Sequence, residues 1–293
     1  MANNRKNIFL VGAAGMLARM VIQRAPSGYD ITGVDLPDFD LTDRDQVLTL
    51  VAEDSPDLII NCAAYTDVDG CESNKELAMR VNGTGVGHLA EAARINNAIL
   101  VHISTDYVFS GENDSPYREE TQTDPQSAYG LSKLTGEQAI LDSGLSDYYI
   151  VRTSWLYGPG GKNFVETMLR LAVEREQLRV VSDQVGAPTF TADLADAIFH
   201  LIDKKAPFGI YHFSNSGRCS WHRFAEEIIA LAKVRGLEVK AESIEPITTD
   251  EFPLPAKRPA YSVLSNNKYK TATGVTPPEW EDGLCRYFDI RID

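Results

Sequence analysis

Tyr129 and Lys133 stand in the segment AYGLSKLTGE, spaced Tyr-x-x-x-Lys. On a helix that spacing puts both side chains on one face. A phenol with an ordinary pKa of about 10 is a poor acid or base near neutrality unless a cation stabilises its phenolate. Lys133 supplies such a cation and can also hydrogen-bond a ribose. Ser104-Thr105-Asp106 directly follows an apolar run. These side chains therefore emerge at the carboxyl edge of a sheet, where ligands bind in open α/β folds. Thr105 is placed to bond a substrate oxygen beside Tyr129. The chemistry these types suit is proton transfer at a carbonyl oxygen as a hydride arrives. Tyr-x-x-x-Lys alone is common by chance, as a surface pair. With a strand-end Ser-Thr and a phosphate-binding glycine turn it is far more specific.

That turn is FLVGAAGMLA, where Gly12 and Gly15 follow a short apolar run and open a helical pattern. Glycines there allow a tight turn and close approach of backbone to a pyrophosphate, whose charge the helix N-terminus binds. Ala18 takes the third small position. Asp35 ends the next apolar run, about twenty residues on, the spacing of an acid that bonds a ribose 2′-hydroxyl. A carboxylate there disfavours a 2′-phosphate, so NADH is expected in preference to NADPH. Asp40 and Leu41 follow, where a carboxylate and an apolar side chain would flank adenine. Cys62-Ala63-Ala64-Tyr65 comes after a third run, its small residues letting the cofactor lie across the strand ends.

The elements that must position these residues alternate. Strands are expected at Ile8–Val11, Ile31–Val34, Leu58–Asn61, Ile99–Ile103 and Tyr149–Thr153. Helices are expected at Gly15–Arg24, Asp43–Glu53 with Thr42 as N-cap, Lys75–Ile95 and Ala128–Leu141. Nearly continuous apolar strands between helices imply a parallel sheet covered on both faces, and right-handed crossovers make it doubly wound. The fold class is therefore α/β, Rossmann-like, with a smaller C-terminal substrate-binding domain. Residues 1–158 form the dinucleotide-binding part and 159–293 mainly the substrate part, some of whose elements return to the first sheet. In that second part Phe164–Glu174, Asp193–Ile202 and Trp221–Arg235 read as helices and Leu178–Val181 as a strand. The proline-bearing stretch Glu245–Pro259 reads mainly as loop.

A chain of 293 residues with 43% hydrophobic and 24% charged content is an ordinary globular composition. The net charge of −14 argues against a nucleic-acid partner and demands local cations for any anionic substrate. Four scattered cysteines give neither a disulfide framework nor a zinc spacing. His88, His102, His200, His212 and His222 have no metal-ligand spacing and read as structural. The stretch MANNRKNIFLVGAAG lacks the apolar core of a signal peptide, and no run is long enough to span a membrane, so a cytoplasmic protein with no membrane partner is expected.

The segments STDYVFSG, YGLSK, VRTSWLYG, DQVGAPT and RPAYSVLSN, in this order, resemble the dTDP-4-dehydrorhamnose reductase family of extended short-chain dehydrogenases/reductases. The resemblance covers almost the whole chain. It implies reduction of dTDP-4-dehydro-L-rhamnose to dTDP-L-rhamnose with NADH or NADPH. Thr105, Tyr129 and Lys133 become the catalytic group. Gly15, Met16, Leu17, Asp35, Asp40, Leu41, Ala63, Ala64 and Tyr65 become cofactor contacts, and Thr105, Asp106 and Trp155 substrate contacts. Lys162-Asn163-Phe164 and Arg258-Pro259 are expected to hold the nucleotide, Arg258 as a diphosphate clamp because guanidinium forks match phosphate geometry. Trp221 and Trp280 read as packing residues. Tyr107 stands where related dehydratases carry a Glu, which favours reduction over elimination. Ala192 stands where some members carry a glutamate of a magnesium site at a dimer contact, so no metal is expected. A homodimer is compatible with the resemblance. Two other readings are a reductase of another nucleotide-linked 4-keto sugar and a dinucleotide-binding regulatory subunit without catalysis.

Overall fold

The computed structural model describes residues 5–292. Residues 1–4 and 293, which the division into 1–158 and 159–293 includes, lie outside the described residues. The chain runs β1 (Lys6–Val11), α1 (Met16–Arg24), β2 (Tyr29–Val34), α2 (Arg44–Asp54), β3 (Leu58–Asn61), α3 (Val68–Ser73) and α4 (Lys75–Ala78). A π turn (Met79–Thr84) leads into α5 (Gly85–Asn96), then β4 (Ile99–Thr105), α6 (Ala128–Asp142) and β5 (Tyr148–Thr153). There follow β6 (Leu156–Tyr157), α7 (Phe164–Glu174), β7 (Gln177–Val181), β8 (Val185–Gly186), β9 (Thr189–Phe190) and α8 (Thr191–Asp203). The last elements are β10 (Gly209–His212), β11 (Cys219–Ser220), α9 (Trp221–Val234), β12 (Ser243–Ile247), α10 (Asn267–Thr273) and α11 (Trp280–Ile292).

Six strands form the main sheet in the order β10-β5-β4-β3-β1-β2, with every neighbouring pair parallel. Alternation along β1 explains why both faces are covered. Ile8 and Leu10 enter one core with Val21, Leu194, Ile198 and Phe224. Phe9 and Val11 enter the other with Val47, Leu89 and Ile140. Strand order reverses between β1 and β3, and the cleft outside their carboxyl ends is where ligands bind in such sheets.

Two local expectations need correction, and a third needs refinement at one end. Asp43, not Thr42, caps α2: its carboxylate accepts the Gln46 N–H at 3.1 Å, while Thr42 donates to Asp40. The stretch Glu245–Pro259 is mainly loop, except that its first residues belong to β12, which pairs in parallel with β7 over Ser243–Ile247. Pro246 sits within this two-stranded edge, a place where a residue without N–H is tolerated. Lys75–Ile95 is helical but broken by the π turn, which carries the buried Asn82. β10, a strand that no local pattern announces, joins the sheet through β5. Among the described residues no helix is long and apolar enough to cross a membrane.

Candidate active site

Gly12 sits at φ +80°, and a Cβ on it would come within 2.6 Å of the Ala63 backbone nitrogen. The turn after β1 and the segment after β3 thus touch backbone to backbone, and only glycine fits. Together with Gly15, Asp35, Leu36, Phe39, Asp40, Leu41, Ala63 and Ala64 they line a crevice of about 220 Å3. Side chains cap α2, α6, α7 and α9, but α1 begins at Gly15 with no side-chain cap. Its first N–H groups are therefore left for an anion. Leu17 is buried in the core, outside the crevice lining. Asp35 at the lip accepts hydrogen bonds from the Ala14 and Leu36 N–H groups at 2.9 and 2.8 Å. Asp40 is held below the usual carboxylate range by hydrogen bonds from the Thr42 backbone and hydroxyl. Tyr65 lies just beyond this lining, its backbone clamped by both ends of the Asn82 amide. The residues present fit a dinucleotide: a glycine turn, an uncapped helix start and a carboxylate at the ribose position.

Thr105 ends β4, and its hydroxyl donates to Asp106 Oδ1 at 2.9 Å. Tyr129 is brought to it by a close approach: a Cβ on the next residue, Gly130, would lie 2.2 Å from the Tyr107 carbonyl oxygen. The rings of Tyr107 and Tyr129 pack edge to face at 5.5 Å, which sets Tyr129 against the segment that follows Thr105. The expectation that Lys133 lowers the Tyr129 pKa does not hold in this structure. Burial and then the charge of Asp106 push the phenol above its usual value. Lys133 donates instead to the Ile103 carbonyl at 2.7 Å, and burial brings its amine down to about 8. A phenol kept protonated is suited to giving a proton, the direction a reduction requires. Asp106 is buried, and burial pushes its carboxyl up to about 6 against the hydrogen bond it accepts from Thr105. Its Oδ2 has no hydrogen-bond partner within reach.

Beyond these residues opens a cavity of about 1030 Å3, lined among others by Trp221, Arg170, Arg175, Arg179, Lys257 and Arg258. Arg258, expected as a diphosphate clamp, is engaged within the chain: its guanidinium grips Asp69 with Nη1–Oδ1 3.0 Å and Nη2–Oδ2 2.7 Å. Asp69 is correspondingly held low, chiefly by that hydrogen bond. Asn163 caps α7, accepting the Glu166 N–H at 3.1 Å and donating to the Gly158 and Gly161 carbonyls. Its amide is fully engaged, and Lys162 is exposed outside the cavity lining. Trp155 stands at φ +48° and stacks on Trp221, ring centroids 3.4 Å apart and 7° from parallel. Trp221 is thus more than the packing residue the sequence suggested, since it joins Trp155 to the cavity wall. Sequence reasoning missed Asp69 and the remaining cavity arginines, which carry no motif and meet only in the fold. Ala192 is buried in the core.

The sheet, the glycine turn and the Thr–Tyr–Lys group define the class: an extended short-chain dehydrogenase/reductase. Residues 6–291 match the family model described as RmlD substrate binding domain. The chain is 42% identical over 290 residues to a dTDP-4-dehydrorhamnose reductase of Streptomyces griseus, covering 97% of this chain and 93% of that one. It is 43% identical over 286 residues to the spore coat polysaccharide biosynthesis protein SpsK of Bacillus subtilis, covering 97% of each. A crystal structure of dTDP-4-dehydrorhamnose reductase from Bacillus anthracis in complex with NADP is similar with a TM-score of 0.93 at 41% identity, covering 98% of this chain and 99% of that one. The chain belongs to the RmlD family, that of the dTDP-4-dehydrorhamnose reductases.

Proposed function

We propose that this chain reduces the 4-keto group of dTDP-4-dehydro-L-rhamnose to give dTDP-L-rhamnose, using a reduced nicotinamide dinucleotide. The observation that carries the reading is the approach of Tyr129 to the end of β4, its ring packed edge to face on Tyr107 two residues after Thr105, in a chain that also carries the glycine-turn crevice and the Arg258-lined cavity. Tyr129 gives its phenolic proton to the ketone oxygen, and the Thr105 hydroxyl steadies that oxygen. The dinucleotide, when bound, supplies the hydride to the carbonyl carbon. Lys133 orients the ribose. Asp106, with an unpartnered Oδ2, accepts from a sugar hydroxyl, and the Trp155–Trp221 stack walls the ring. Tyr107 offers no carboxylate to remove a neighbouring proton, so the reaction ends at the alcohol. In this reading residues 1–158 hold the cofactor and 159–293 mainly the nucleotide-sugar.

Loss of nicotinamide absorbance with the dTDP-linked keto sugar, compared with the free sugar at the same cofactor saturation, tests the reading. A kcat/KM at least on the order of 10²-fold higher for the linked sugar is expected, because remote binding energy orients the reacting centre. Equal values mean that no nucleotide pocket operates, and binding without turnover means a regulatory subunit. Arg258→Ala should raise KM about tenfold, the loss of one charge-assisted hydrogen bond. Added salt should shrink that effect.

For the cofactor, NADH is favoured because the Asp35 carboxylate would face a 2′-phosphate across a few ångströms. Asp35→Ala should narrow the ratio of kcat/KM values by at least about tenfold. A native preference for NADPH overturns this.

Asp106 predicts an acid limb. Its raised pKa of about 6 leaves the carboxylate the minor form below that pH, removing an acceptor for the sugar. The kcat/KM should therefore fall about tenfold per pH unit below about 6, as for loss of one required ionised form. Asp106→Asn should flatten that limb at a lower plateau. A limb that persists in the variant belongs to another group.

A further inference from the structure

Lys133 has a second neighbour that the mechanism above does not use. Its Nζ lies 3.4 Å from His102 Nε2, His102 Nδ1 lies 3.1 Å from Asn61 Nδ2, and Asn61 Oδ1 accepts the Ala63 N–H at 3.0 Å. Asn61, His102 and Lys133 are all buried, so solvent does not relieve any mismatch among them. The Ala63 N–H fixes which end of the Asn61 amide is oxygen, and Nδ2 must then donate to His102 Nδ1. A neutral imidazole whose Nδ1 accepts carries its proton on Nε2. Burial, and then the charge of Lys133, keep His102 neutral. The ring therefore presents an N–H, not a lone pair, to the Lys133 amino group. An ammonium finds no acceptor there, whereas a neutral amine does find a donor. The other groups facing Lys133 are Glu137 on α6 and Cys62 after β3, both favouring the charged form, with the Ile103 carbonyl accepting from its Nζ. Glu137 is itself paired with Arg152 of β5.

We propose that Asn61 holds His102 as the Nε2–H tautomer and that this tautomer makes His102 a positioning residue for Lys133, lowering the pH at which the lysine gives up its proton. A lysine able to change charge near neutrality shortens the route by which a Tyr129 phenolate regains the proton given to substrate. That consequence for turnover rests on the reductase reading; the tautomer and the lysine titration do not.

The test uses the free protein. Nitrogen-15 NMR of labelled histidine should show His102 protonated on Nε2 and bare on Nδ1. Asn61→Asp keeps the shape but turns the group facing Nδ1 into an acceptor, so the proton should move to Nδ1 and expose the Nε2 lone pair to Lys133. The Lys133 titration, read from its side-chain carbon and nitrogen shifts, should then rise by about one pH unit. The alkaline limb of kcat/KM should follow it. Asn61→Asp combined with His102→Leu keeps the new carboxylate but has no ring, and should lack most of the rise. A wild-type Nδ1–H tautomer overturns the proposal, as does an unmoved Lys133 in Asn61→Asp or an equal rise in the double variant. Should the variants fail to fold, the wild-type tautomer decides alone. The expected tautomer and titration without any turnover of keto sugar count against the reductase reading, not against this one.

Discussion

Tyr129→Phe is expected to lower kcat about 10²–10⁴-fold while the cofactor dissociation constant stays within about twofold. The substitution removes one oxygen and nothing else of the ring. The edge-to-face packing on Tyr107 at 5.5 Å survives, and Gly130 still lets α6 approach the Tyr107 carbonyl. What is lost is the proton donor. Burial and Asp106 raise the phenol's pKa, so the active form in the reductive direction is the protonated one. It is present across the whole range in which Asp106 and Lys133 titrate, and the pH limits of the wild-type enzyme should therefore not come from Tyr129. Single-turnover kinetics at saturating cofactor and dTDP-linked keto sugar measure the chemical step directly. A variant with near-full kcat shows that the proton comes from elsewhere.

The parts of this site that were legible in the sequence are those that local geometry alone constrains. Gly12 and Gly15 announce a phosphate turn because only a glycine reaches φ +80° against Ala63. Tyr129 and Lys133 announce a shared helical face because one turn separates them. Strand ends were legible for the same reason: a run such as LIIN, buried at all four positions, has nowhere to go but a covered sheet. What was not legible depends on residues far apart in the chain. Asp69 turns Arg258 from a free cation into half of an ion pair, across 189 positions. Trp221 looked like packing until Trp155, from another part of the chain, stacked on it. β10 has little pattern of its own and is a strand because β5 offers it an edge. The expectation that Lys133 tunes Tyr129 failed for a related reason. Spacing puts two side chains on one face but does not say that a carbonyl, here Ile103, is nearer to the amine.

Glu137→Ala should cost about 3–5 kcal/mol of folding stability, the largest loss expected from any single change away from the chemistry. Glu137 follows Lys133 by one turn of α6. In the fold it is 1% exposed, paired with Arg152 at 3%. Arg152 Nε reaches Oε1 at 2.9 Å and Nη2 reaches Oε2 at 2.6 Å, while the Ser104 hydroxyl donates to Oε1 as well. The pair therefore ties α6, β4 and β5 together directly beneath Thr105 and Lys133. Without the carboxylate, Arg152 keeps only long contacts, 3.5 Å to the Glu119 carbonyl and 3.4 Å to His212 Nε2. It also keeps a cation–π contact 5.1 Å from the Phe109 ring centre, worth about 0.5–2 kcal/mol. His212 offers no compensating charge, because an imidazole is neutral or cationic, and burial and Arg152 itself push it down to about 3, so it stays neutral. A guanidinium so placed is largely uncompensated, which is why the cost is a large fraction of the stability of a typical domain, about 5–15 kcal/mol. Replacing both partners by apolar residues of similar size, Glu137→Leu with Arg152→Met, removes the buried charge and should recover most of the loss. Urea midpoints of the two single variants and the double variant form the cycle that isolates the pair. A Glu137→Ala cost below about 1 kcal/mol would mean that water reaches Arg152, and that the pair is not what holds the catalytic helix to the sheet.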